Sequence, residues 1–154
     1  MGKLYVVRHA DAGHRSQWSG SDEDRPLSHR GARQAKGIAH QLADAGISRL
    51  ISSPYARCVQ TLEPLAKQHD LPVEADERLA EGAGATGALE LVSELVGRTA
   101  VLCSHGDVIP DLLEALVREG VKLKDDLRWQ KASTWVFSRD SGKLAKGRYV
   151  PPPA

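Results

Sequence analysis

A chain of 154 residues fits one domain and is long enough to bury a continuous core. With 41% hydrophobic and 27% charged residues it follows ordinary globular usage, which excludes a disordered chain. A formal net charge of +1 excludes a strong field for nucleic acid or anionic membrane, and Cys58 and Cys103 form no CxxC pattern, so they read as free thiols of a reducing compartment.

In chain order, Leu4 to Val7 is an apolar run that predicts a buried strand and is too short for a signal-peptide core or a membrane span. A cytoplasmic location is the expectation. Residues 12–26, with Gly, Ser, Asp and Pro, predict a loop. Ser28 is placed to cap a helix with apolar positions at Ala32, Ala35, Ile38, Ala39 and Leu42, stopped by Gly46. Leu50-Ile51 predicts a short strand ending in Ser52-Ser53. Pro54 then suits the first turn of a helix capped by Ser53, with Pro64 expected to kink or split it.

A short strand is expected around Val73, a loop over 82–87, and an amphipathic helix from Leu89 to Val96. Ala100 to Cys103 predicts a buried strand. The next helix carries Ile109, Leu112, Leu113, Leu116 and Val117 on one face and stops at Gly120. Thr134 to Ser138 and Leu144 to Val150 predict late strands, paired as a hairpin through Ser141-Gly142. Arg139, Lys143, Lys146 and Arg148 form their solvated face. Residues 1–150 form the domain, and 151–154 a Pro-rich tail expected to fray. Strands alternating with helices predict an α/β fold, a single-domain three-layer sandwich with a mainly parallel sheet and helices on both faces.

Sites in such sheets form at the carboxyl ends of strands. Arg8-His9, Ser52-Ser53 and Ser104-His105 all fall there, and Arg57 lies one turn into the following helix. Guanidinium groups suit a tetrahedral oxyanion because they offer a planar fork of donors and stay charged. A neutral imidazole is a good nucleophile, and a second can donate to a phosphoryl oxygen as charge builds. No metal or other cofactor is required if Arg and His supply the charge.

The ordered elements resemble the histidine phosphatase superfamily. Val7-Arg8-His9-Ala10-Asp11-Ala12 is similar to its RHG signature, with Ala in place of Gly as in the small SixA-like branch. Leu27-Ser28 through Gly31 to Gln34-Ala35 resembles "LTxxGxxQA", and Ser52 to Thr61 resembles "SSPxxRxxQT". Leu79-Ala80-Glu81 and Ser104-His105-Gly106 resemble the later "LxE" and "xHG" elements. The run Leu102 to Pro110, with Glu81-Gly82, also resembles the histidine-phosphatase domain fused behind a Nudix domain in actinobacterial MutT-type hydrolases. No Nudix motif is present in these residues.

The resemblance implies that His9 is phosphorylated, that Arg8, Arg57 and His105 bind the phosphoryl group, and that Glu81 is the general acid. Mutases carry Asn where this chain has Arg15, which is either a second phosphate ligand or a solvated residue. Only 23 residues separate Glu81 from His105, which implies an open site without a cap. A metal-independent phosphatase is the expectation, acting on protein phosphohistidine, or alternatively on nucleotides or small phosphoesters, as a monomer without nucleic-acid or membrane partners.

Rival readings are a metallohydrolase using His9, Asp11, His105 and Asp107, with Asp107 otherwise a helix cap, and a non-catalytic phosphate-binding regulatory module. His14, His29, His40 and His69 read as surface residues, and Trp18 as packing on its loop.

Overall fold

Two periodicities build the architecture in the computed structural model, which describes residues 2–154. Apolar runs form strands β1 (Leu4–Arg8), β2 (Arg49–Ser52), β3 (Val73–Ala75) and β4 (Ala100–Ser104). Stretches of helical period form α1 (His29–Gln41), α2 (Ala56–His69), α3 (Thr86–Glu94) and α4 (Val108–Arg118). The chain closes with β5 (Lys122–Leu123), β6 (Thr134–Asp140) and β7 (Lys143–Val150).

All seven strands join one sheet in the order β3-β2-β4-β1-β6-β7-β5. The first four neighbours are parallel, and β6 runs antiparallel to both β1 and β7. This is the expected three-layer α/β sandwich, extended at one side by a hairpin. Ser141 (φ 54°) and Gly142 (φ 84°) turn that hairpin in the left-handed region that a two-residue turn of this hand requires.

Side chains on β1 alternate between two cores. Leu4 and Val6 pack with Leu91 of α3 and with Ile109, Leu112 and Leu116 of α4. Tyr5 and Val7 pack with Ile38 of α1 and with Cys58, Leu62 and Leu65 of α2. Each fully buried aliphatic side chain stabilises by about 1.5–3 kcal/mol, so a sheet covered on both faces holds its strand ends rigidly.

Several local expectations differ from the structure. Helix α2 starts at Ala56 rather than Pro54, with Tyr55 in the capping position. The Ser53 hydroxyl is occupied elsewhere, as described below. Pro64 neither splits α2 nor ends it. An interior proline costs about 3 kcal/mol, and the burial of Cys58, Leu62, Leu65 and Ala66 outweighs that.

Helix α3 starts at Thr86, three residues earlier than its apolar pattern suggested, and Val96 beyond its end is exposed. Val117 lies off the buried face of α4 and is 47% exposed. The two-residue β5 had no sequence signal. Pro153, in the tail expected to fray, lies against Gly37 of α1. Among the described residues no helix is long and apolar enough to cross a membrane.

Candidate active site

Because β2, β4 and β1 are parallel neighbours, their carboxyl ends meet at one edge of the sheet. His9 donates its N–H to the Ser104 carbonyl (3.1 Å), and Ala132 donates to the carbonyls of both Arg8 and His9 (3.1 Å each). The end of β1 is thereby locked between β4 and the segment before β6.

His9 is 5% exposed, and its Nδ1 lies 2.8 Å from the Ala10 carbonyl. A carbonyl can only accept, so Nδ1 carries the proton and Nε2 keeps its lone pair. Burial, reinforced by His105, Arg57 and Arg8 and opposed by the Ala10 carbonyl, pushes the His9 pKa down to about 3. The ring is therefore neutral throughout the physiological range. The expected result is that the His9 ring signals do not titrate between pH 8 and 5 in an NMR series, and a midpoint near the ordinary value of ~6.5 would contradict this. In the unfolded chain the same imidazole protonates below ~6.5, so its burial removes stability as pH falls from there towards 3 and none above.

The motif glutamines and threonine hold backbone rather than line the cleft. Thr61 Oγ1 accepts from Ala10 N (2.9 Å) and donates to the Arg57 carbonyl (2.6 Å). Gln34 Oε1 accepts from Asp11 N (2.9 Å), and Gln60 Oε1 from Leu27 N (2.9 Å).

Arg57 is 1% exposed and projects from the first turn of α2. It donates to the Asp22 carbonyl (2.9 Å), to Asp22 Oδ2 (3.1 Å) and to Glu81 Oε1 (3.0 Å). Arg15 pairs with Glu81 Oε2 (2.9 Å) and with Asp22 Oδ1 (3.2 Å), closing a ring of two arginines and two carboxylates. Arg25 reaches the same Asp22 oxygen (3.1 Å) and donates to the Ala12 carbonyl. Desolvation raises the Asp22 carboxyl, but its bonds and charge contacts with Arg25, Arg57 and Arg15 outweigh this and hold its pKa below the usual carboxylate value.

His105 is 1% exposed, with its ring centroid 5.5 Å from that of His9 in an edge-on arrangement. Its Nε2 lies 2.8 Å from Ser53 Oγ, and its Nδ1 lies 3.8 Å from Glu81 Oε1. Arg8 donates to the Trp129 carbonyl (2.9 Å). A side chain at Gly106 would come within 2.7 Å of the Arg8 guanidinium, so the glycine after His105 is needed for Arg8 to lie there. Asp107 occupies the capping position of α4, but its side chain accepts from Gly82 N (2.7 Å) and so ties down the turn that carries Glu81. Three buried side-chain nitrogens at this edge, Arg8 Nε, Arg57 Nε and His105 Nδ1, have no hydrogen-bond partner among the described residues.

Arg8, His9, Arg15, Arg57, Glu81 and Asp107 line one cleft of about 720 Å³, with His105 packed against it. A groove of about 900 Å³ between α1 and α2, lined by Leu27, Ala35, Val59 and Pro64, holds none of the strand-end polar residues. Asp11 does not face the cleft: it accepts from the Ser28 hydroxyl (2.6 Å). Among the described residues no three of His, Cys, Asp or Glu converge as a metal site. Trp18 donates to the Ser21 carbonyl within its loop. His14 lines the cleft mouth, as do Arg25 and Lys131, which sequence reasoning passed over together with Asp22 and the site role of Ser53. Only the placement of Asp22 and Arg25 just before the Leu27-Ser28 element could have signalled any of them.

A sequence profile of the histidine phosphatase superfamily (branch 1) matches residues 4–86, more than half of the chain. The chain belongs to this superfamily. This is the superfamily that the motif set resembled. Over 97% of its length the chain is 37% identical to an 8-oxo-(d)GTP phosphatase of Mycolicibacterium smegmatis, of which it spans only 48%. Among solved structures, the protein histidine phosphatase SixA complexed with tungstate superposes with a TM-score of 0.74 at 24% identity, covering 99% of this chain and 96% of that one. A mycobacterial glucosyl-3-phosphoglycerate phosphatase gives 0.74 at 21% identity with complete coverage of both chains. At these identities the likeness is one of histidine phosphatase fold.

Proposed function

We propose that this chain is a metal-independent phosphatase that passes the phosphoryl group through His9. The observation that carries the reading is the free Nε2 lone pair of a neutral, buried His9 beside donors of Arg8, Arg57 and His105 that lack protein partners. A phosphoryl oxyanion supplies the acceptors those N–H groups need, and preorganised donors at developing charge are the main lever of phosphoryl transfer.

Nε2 of His9 attacks phosphorus, and the bond from phosphorus to the leaving atom breaks. Glu81, having taken a proton from solvent, gives it to that leaving atom, and as a carboxylate again it takes a proton from the water that hydrolyses the phosphohistidine to inorganic phosphate. Glu81 is paired with Arg57 and Arg15. A dianionic phosphoryl group on Arg57 competes with Glu81 for the same guanidinium and frees the carboxylate for proton transfer.

For the substrate, nucleoside phosphates come first, supported by the 37% identity over nearly the whole chain to an enzyme named for 8-oxo-(d)GTP. A cleft of about 720 Å³ is of the size that binds whole small molecules. Protein phosphohistidine is the second reading. It is favoured by the short stretch between Glu81 and His105, where the chain forms only a turn, α3 and β4 and builds no cap.

The test is turnover of guanosine nucleotides, a phosphohistidine protein and p-nitrophenyl phosphate in EDTA. Turnover should persist in EDTA and be inhibited by vanadate, with the nucleotides processed fastest. Loss of activity in EDTA sinks the metal-free mechanism. Binding without turnover of any compound turns the chain into a phosphate-binding module.

A further inference from the structure

We infer that Ser53 is a positioning residue that sets the tautomer of His105, forcing its proton onto Nδ1 and thereby aiming a donor into the cleft. The inference rests on the phosphatase reading above for its purpose, but the hydrogen-bond inventory alone carries its geometry.

Ser53 is fully buried, and its hydroxyl makes two hydrogen bonds, with the Cys58 thiol also close to it. The backbone N–H of Tyr55 donates to Ser53 Oγ (3.2 Å), which uses one of its lone pairs. The other hydrogen bond is with His105 Nε2 at 2.8 Å. No backbone or side-chain acceptor other than that nitrogen receives the hydroxyl proton. A buried hydroxyl left without an acceptor is strongly disfavoured, so Ser53 donates and Nε2 accepts. An imidazole that accepts at Nε2 carries its proton at Nδ1. That nitrogen has no partner in the protein and lies 3.8 Å from Glu81, on the side where a phosphoryl oxygen would sit.

Ser53 does not cap α2: its oxygen accepts from Tyr55 N, ahead of the helix, which begins two residues beyond Pro54.

One other group faces Nε2. The Cys58 sulfur lies 3.5 Å away. Burial raises its pKa, but contacts with Cys103, His105 and Ser53 outweigh this and bring it to about 6. A Cys58 thiolate beside a doubly protonated His105 is thus the rival arrangement.

The experiment is ¹⁵N NMR of the histidine-labelled natural protein at neutral pH, followed by Ser53→Ala and Ser53→Thr. In the natural protein, His105 should show a protonated Nδ1 and an unprotonated Nε2. In Ser53→Ala the Nε2–H form should appear, and kcat/KM should fall about 10- to 100-fold, the scale of one lost transition-state donor or somewhat less. Ser53→Thr, which keeps the hydroxyl, should retain the Nδ1–H form. A His105 protonated only at Nε2, or at both nitrogens, in the natural protein overturns the inference. So does a Ser53→Ala protein with unchanged tautomer and turnover. Should the chain turn over no phosphorylated compound, the phosphatase reading fails while the tautomer measurement still decides this one.

Discussion

His9→Ala is expected to lose at least about 10³-fold in turnover of every phosphorylated substrate, because no other side chain at the strand ends can take over covalent transfer. Arg8 and Arg57 are permanently charged and cannot attack phosphorus. His105 is fully buried and turns one ring nitrogen to Ser53. The carboxylates in the cleft are paired: Glu81 with two arginines and Asp107 with the Gly82 amide. The fold should survive the change, since a neutral buried imidazole is replaced by a smaller apolar group in a strand-end position held by backbone bonds on both sides. Brief incubation with ³²P-labelled substrate followed by denaturation should leave an acid-labile label on the natural protein and none on the variant. A His9→Ala protein with unimpaired turnover would remove the mechanism altogether.

Gly31→Ala is expected to destabilise the protein by about 3 kcal/mol, the upper part of the usual range for overpacking. A methyl at Gly31 drives into the Asp11 carbonyl oxygen, and that oxygen is fixed backbone. The same carbonyl accepts the N–H of Ser28 (3.0 Å), and the Ser28 hydroxyl accepts from Gly31 N (3.0 Å) to cap α1. The clash therefore strikes the helix cap and the His9 loop together. At about 2–4 °C per kcal/mol for a chain of this size, Tm should drop by about 6–12 °C.

Gly37→Ala, six residues along the same helix, is the control. Its methyl meets the Pro153 ring in the C-terminal segment rather than the backbone of the helix cap, and an alanine favours the helix by up to about 1 kcal/mol over glycine, which offsets the cost of displacing that ring. Calorimetry of the two variants should show a large loss for the first and little change or a gain for the second. Equal losses would show that the close approach to Asp11 is not what requires glycine.

Much of this was legible in the chain itself. The runs at residues 4, 50 and 100 announced buried parallel strands by their unbroken apolar character, and each ended in polar residues of the kinds that meet in the cleft. Gly31, Gln34, Gln60 and Thr61 could be matched to motif positions, but their work became clear only in three dimensions: they pin the backbone around His9. Asp22 and Arg25 were illegible because their roles depend on a loop folding back over Arg57, and a stretch of Gly, Ser and Asp carries no periodicity to announce that. Ser53 was read as a helix cap because sequence shows its neighbour Pro54 but not His105, which lies 52 residues away and reaches it only through the pairing of β2 with β4. Val117 was misplaced by pattern: six apolar residues of α4, Val108 and Ala115 among them, already fill its buried stripe.

The position of β1 at the centre of the sheet has a bearing on how the protein is made. Leu4 lies beside Ala100 on one side and Phe137 on the other. The strand that carries Arg8 leaves the ribosome early, yet its two neighbours are synthesised about a hundred residues later. At about 5–20 residues per second, β1 waits several seconds, apolar and unpaired, before its sheet exists. A nascent chain stopped before Ala132 has His9 and both arginines but lacks the amide that holds the end of β1 and the strand that closes its second side. Such fragments should be inactive and should depend on holding chaperones, and activity should appear abruptly once the β6–β7 hairpin clears the exit tunnel.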